Sequence, residues 1–120
     1  MNLVAQYTPS ISGEVLCPGD KSISQRALII GSLLNEDIEI SGFLSGEDPI
    51  STANALNAIG SDIKVNGTSV LIKKRDIPFK DPSINIDLGN SGTGMRLMMG
   101  LISSLNIKAI LVGDESLTKR

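Results

Sequence analysis

The chain has 120 residues, with 11 basic and 13 acidic side chains, one cysteine and no histidine. That length suits one small core. The mixed charges, net −2, advertise no polyanion partner, and the lack of histidine leaves carboxylates or lysine for acid–base chemistry and excludes a His-based metal site. Apolar residues make up 41% and are nearly all aliphatic, with one Tyr, two Phe and no Trp, which argues against a base-stacking platform. Mean hydropathy of +0.14 argues against disorder.

The opening MNLVAQYTPS has no basic stretch and no long apolar run, so it reads as neither a signal nor a transit peptide. No apolar run reaches bilayer length, and a lone Cys17 fits a reducing compartment, so the cytoplasm is expected. Ser12 to Cys17 alternates weakly and stops at Pro18-Gly19, which predicts a strand ending in a turn, with Cys17 buried in it. Ser22 to Leu34 places Ala27, Leu28, Ile30, Leu33 and Leu34 at helical spacing, and Ser22 to Gln25 fits a capping box with Ser22 as N-cap. Asp37 to Ser41 is a predicted strand. Asp48-Pro49 opens a second helix, with Asp48 as N-cap, running to a left-handed stop at Gly60.

Asn66-Gly67 signals a hairpin between Asp62–Val65 and Ser69–Lys73. Residues 75–83 read as loop, Ile84 to Leu88 as strand, Gly92 to Ser104 as helix and Lys108 to Val112 as strand. The order is strand, helix, strand, helix, strand, strand, and then the pattern begins again. Gly89 and Arg96 stand 70 positions after Gly19 and Arg26, so an internal repeat is expected.

Two segments could cradle an anion. In Pro18 to Arg26 a turn leads into a helix N-terminus, where free amides and the dipole favour negative charge. Lys21 adds a point charge and Arg26 a planar fork, and five positions across a turn could bring both to one pocket. Ser22 could cap its own helix or donate to a ligand. The residues alone favour a capped helix with solvated charges. The segment is not a Walker loop, because Glu14 stands where the first glycine is needed. In Leu88 to Arg96, Gly89, Gly92 and Gly94 lie between strand and helix, as an anion cradle or a tight turn for close packing. The spacing is not the dinucleotide fingerprint. Residues 113–120 form an acidic loop with a basic end.

Together these segments resemble the 5-enolpyruvylshikimate-3-phosphate synthase family. Its P-G-[SD]-K-S-x-[ST]-x-R pattern falls on residues 18–26, G-N-[SA]-G-T-x-x-R on 89–96, and G-D-x-S-L-x-x-R on Gly113 to Arg120. UDP-N-acetylglucosamine enolpyruvyl transferases share the reaction type, but carry Lys-Asn where this chain has Lys21-Ser22, and a cysteine in the loop that here spans 113–120.

The resemblance implies the α/β enolpyruvyl transferase fold, an inside-out α/β barrel of repeated βαβαββ units. Residues 18–83 would be the first unit and 84–120 an incomplete second. Residues 1–17 would pack with a C-terminal domain. The implied reaction transfers the enolpyruvyl group of phosphoenolpyruvate to the 5-hydroxyl of shikimate 3-phosphate and releases phosphate. Carried over, Lys21, Ser22 and Arg26 bind shikimate 3-phosphate, and Lys21, Gly92 and Arg120 bind phosphoenolpyruvate. Asp48, Asn90, Thr93 and Arg96 shape the pocket. No metal or organic cofactor is implied, nor any nucleic-acid or membrane partner, and the full-length form is expected to be a monomer. The family's catalytic carboxylates fall after residue 120, so the chain alone is expected to be inactive, and a non-catalytic anion-binding or complementation fragment of the same fold is the alternative.

Overall fold

The computed structural model describes residues 2–119. In chain order the elements are α1 (Lys21–Leu33), β1 (Ile38–Ser41), α2 (Glu47–Ala58), β2 (Asp62–Asn66), β3 (Ser69–Lys73), β4 (Ile86–Asp87), α3 (Gly92–Ser104), β5 (Leu111–Val112) and a single turn, α4 (Glu115–Thr118). The order of the larger sheet is β1-β3-β2, all antiparallel. Its register stacks Ile38, Ile72 and Ile63 in one row and Ile40, Val70 and Val65 in the next, so one face is wholly aliphatic. The opposite face carries Glu39, Ser41, Lys64 and Asn66 to solvent.

The aliphatic face packs under α1 and α2, where Leu28, Leu56 and Ile59 are fully buried. Gly31 permits the close approach of α1, since a Cβ there would lie 2.7 Å from Ile72 Cδ1. Asn57 locks the end of α2 to the sheet: its Nδ2 donates to the Ile63 carbonyl at 3.0 Å and its Oδ1 accepts from the Ile63 amide at 2.8 Å. Gly60 follows at φ +111°, the left-handed stop expected of it. The β2–β3 turn is Gly67-Thr68, one position later than Asn66-Gly67, with Gly67 alone at positive φ (+57°), as a type II′ turn requires. Beyond β3, Arg75 donates to the Ser32 carbonyl at 2.6 Å and lies over the Phe79 ring at 3.5 Å, pinning the predicted loop.

The second stretch is a parallel βαβ unit: Ile86 pairs with Leu111 and Asp87 with Val112, and α3 makes the crossover. Both strands are shorter than predicted, two residues each, because each has only the other for a ladder among the described residues. Gly19 lies against Gly42 and Leu44, and Gly89, at the matching position, accepts from the Asp114 amide at 2.9 Å.

Several expectations fail. Residues 12–17 form no strand; Val15 is 87% and Leu16 97% exposed, and Cys17 is exposed rather than buried. A strand needs a neighbour for its amides, and none pairs with this segment among the described residues. The extended start also explains a radius of gyration of 17.2 Å, where a compact chain of this length has about 13–14 Å. Ser22 does not cap α1. The N-cap is Asp20, whose carboxylate accepts from the Ile23 amide at 2.7 Å, and Gln25 turns inward instead of reaching back. Asp48 does not cap α2 either; Gly46 does, and Asp48 sits within the first turn.

Candidate functional site

The N-terminal turns of α1, α2 and α3, with β5 and α4, surround a cleft of about 800 Å³. Lys21, Asp48, Asn90, Gly92, Thr93 and Arg96 line it, which unites six of the residues singled out from sequence. Met95, Met99, Leu111, Val112 and Leu117 form an apolar wall that sequence reading missed. Met95 and Met99, one helical turn apart on α3, are the signal that could have shown it. Arg120 lies outside the described residues.

Ser22 and Arg26 do not line the cleft. Five positions along an α-helix turn the side-chain direction by about 140°, so Lys21 and Arg26 point to different sides of α1. Arg26 therefore stands beside the cleft that Lys21 lines rather than in it.

Electrostatics separate the four helix N-termini near the cleft. At α1 the cap is the Asp20 carboxylate; α2 carries Glu47 and Asp48 in its first turn; α4 is capped by Asp114 and begins with Glu115. Each supplies its own negative charge to the positive end of the helix dipole. Among the four, α3 alone combines a neutral cap, Ser91, with a first turn free of acids. Its opening residues Gly92 and Thr93 face the cleft, so this helix end offers its field to an anion.

Two cations flank it. Lys21 Nζ lies 2.9 Å from Asp48 Oδ2, in a pair half exposed on the lysine side. Arg96 is exposed and makes no salt bridge among the described residues. The perturbed titrating groups lie elsewhere, on the sheet: the Lys73 ammonium and the Lys74 amide hold the Asp37 carboxyl below the usual carboxylate range, and Asp37 raises Lys73.

Behind the cleft, Gln25, Thr52 and Ser91 are fully buried. Sequence reading had no means to find this group, since the residues are separated by 27 and 66 positions from Gln25. Gln25 Nε2 donates to Ser91 Oγ at 2.9 Å and to Thr52 Oγ1 at 3.0 Å, so α1, α2 and α3 meet at one amide.

The site is a cleft between helix N-termini on an α/β scaffold, with one helix end free of acids and two basic side chains beside it. The family model for EPSP synthase (3-phosphoshikimate 1-carboxyvinyltransferase) matches residues 6–120, and the chain belongs to that family. A 3-phosphoshikimate 1-carboxyvinyltransferase of Petrotoga mobilis is 46% identical over 122 residues, covering 100% of this chain and 28% of that protein. One from Ruthia magnifica is 46% identical over 118 residues, covering 98% of this chain and 27% of its own length. A solved EPSP synthase from Acinetobacter baumannii superposes with a TM-score of 0.82 at 35% identity, over 90% of this chain and 25% of that one. The fold is therefore the α/β enolpyruvyl transferase fold, and the chain spans a little over a quarter of the curated relatives it matches, 28% of the first. No helix among the described residues is long and apolar enough to cross a membrane.

Proposed function

We propose that this chain supplies part of the substrate site for transfer of the enolpyruvyl group from phosphoenolpyruvate to the 5-hydroxyl of shikimate 3-phosphate. The observation that carries the reading is the acid-free α3 N-terminus, opening into a cleft beside Lys21 and Arg96. Phosphoenolpyruvate takes this seat, with Gly92 against it, Lys21 and Arg120 as cations, and Asn90, Thr93, Arg96 and Asp48 shaping the wall. Shikimate 3-phosphate lies over the first turns of α1, on Ser22 and Arg26, with Lys21 between the two ligands. That division follows from Arg26 standing outside the cleft.

The reaction joins the 5-oxygen to C2 of phosphoenolpyruvate, forms a tetrahedral intermediate, and expels phosphate as the enol ether double bond returns. Two anions repel as they approach, and fixed cations offset that repulsion while holding the reacting atoms together. This chain's share is binding and orientation. The resemblance places the proton-transferring carboxylates in the part of the enzyme after residue 120, so in this reading the 120-residue chain binds without turnover. In this reading the whole enzyme is a cytoplasmic monomer, and the extended start of the chain is a segment that packs with its C-terminal domain.

Calorimetric titration with each substrate, beside a phosphate-release assay, tests the reading. Binding of both ligands without phosphate release is expected. Arg26→Ala should weaken shikimate 3-phosphate more than phosphoenolpyruvate, by roughly tenfold or more, the loss of one charge-assisted hydrogen bond. Equal weakening of both ligands, or no binding by the unsubstituted chain, would reject it.

A further inference from the structure

The buried amide behind the cleft has more oxygens around it than it has hydrogens. Besides Ser91 Oγ and Thr52 Oγ1, the Asp48 carbonyl lies 3.4 Å from Gln25 Nε2, and Thr52 Oγ1 itself donates to that carbonyl at 3.1 Å. Gln25 Oε1 has no partner among the described residues, so the amide orientation is set by the oxygens facing its nitrogen. Each acceptor belongs to a segment of the cleft wall. Asp48 pairs with Lys21, and Ser91 caps α3 through the Gly94 amide at 3.1 Å, immediately before Gly92 and Thr93. Space for the amide comes from position 94. A Cβ on Gly94 would stand 2.7 Å from Ser91 Oγ and 3.1 Å from both Gln25 Nε2 and Thr52 Oγ1.

We propose that Gln25 is the positioning residue of the anion cleft and Gly94 its size partner: the long amide fixes the α3 N-cap against α1 and α2, and a methyl at 94 would press first on the Ser91 hydroxyl that the amide holds and then on the amide itself. The pair is coupled. Gln25→Asn shortens the side chain by one methylene, which would withdraw the amide and release the Ser91 hydroxyl, so a methyl at 94 becomes tolerable. The inference rests on the reading of this cleft as an anion site, but its test needs no ligand, so failure of substrate binding would leave it standing.

Amide hydrogen exchange and thermal unfolding of the 120-residue chain decide it. Gln25→Met keeps the volume and removes both donors. The Gly94 amide should then exchange about tenfold faster, and the Gly92 and Thr93 amide resonances should move while those of β2 and β3 stay. Gly94→Ala and Gln25→Asn should each lower Tm by at least about 4 °C, and the double variant should lose clearly less than the sum. Should Gly94→Ala alone fail to fold, folding of the double variant supports the coupling and its failure to fold overturns it. Unchanged Gly94 exchange in Gln25→Met, or additive losses in the double variant, would also overturn the proposal.

Discussion

Gly19→Ala should unfold this chain more readily than any other glycine-to-alanine change outside the positive-φ positions. The methyl would land on the Gly42 carbonyl oxygen and 2.9 Å from the Leu44 amide nitrogen. Both are backbone, so no rotamer change relieves the overlap, and residues 42–44 must move as a piece. That piece is anchored: the Phe43 amide donates to the Thr68 carbonyl at 2.9 Å, the Leu44 amide donates to Ser24 Oγ at 3.0 Å, and Phe43 is buried. Overpacking costs about 1–3 kcal/mol, and one lost hydrogen bond adds about 1 kcal/mol. Together they come to roughly 3 kcal/mol, a large share of the 5–15 kcal/mol of a small domain, and lower Tm by about 10–20 °C. Gly100→Ala is the internal control. Nothing lies within 4 Å of a Cβ there and the position is in α3, so the variant should gain the roughly 0.5–1 kcal/mol that separates the two residues in a helix, and Tm should rise by a few degrees. Thermal unfolding followed by circular dichroism measures both. A Gly19→Ala midpoint within about 3 °C of the parent would refute the packing argument.

Asp37→Asn tests the ion pair at the end of the sheet, where Lys73 Nζ lies 2.7 Å from Asp37 Oδ2. Asp37 titrates below its ordinary 3.8 in the folded chain, so its contribution is present above that pH and disappears as pH falls through the folded value. The variant should therefore melt below the parent at pH 7, with the gap closing in acid; a gap independent of pH would reject the pairing as its cause. Asp48→Asn removes a negative charge from the cleft wall while leaving an oxygen for Lys21. If phosphoenolpyruvate sits beside that carboxylate as proposed, relief of a like-charge repulsion of about 1 kcal/mol at contact distance in water should tighten binding severalfold. Unchanged or weaker binding by calorimetry would show that the anion sits elsewhere.

Structure set by neighbours in the chain was legible in the residues. The α3 span, Gly92 to Ser104, is the one read from the residues. The hairpin falls where Asn66-Gly67 signals it, shifted by one position in its turn, because Gly67 is the residue free to take positive φ. The motifs also carried the family, since their order and spacing survive without any knowledge of contacts.

Choices among equally good local partners needed the tertiary structure. Asp20 and Ser22 are both competent caps for α1, and the extended backbone of Asp20 (ψ 138°) decided between them. Gln25 had a local role open to it, yet its amide serves oxygens on two other helices. Asp48 likewise gave its carboxylate to Lys21, 27 positions away, rather than to its own helix. Residues 12–17 alternate as a strand should, but alternation states only which side chains could face a core, while pairing needs a second backbone that this segment does not meet among the described residues. The residues alone determined the helices, the turns and the list of charges at hand; the packing of three helix N-termini on one buried amide determined which of those charges share a cleft, because distances between residues tens of positions apart are set only when the core closes.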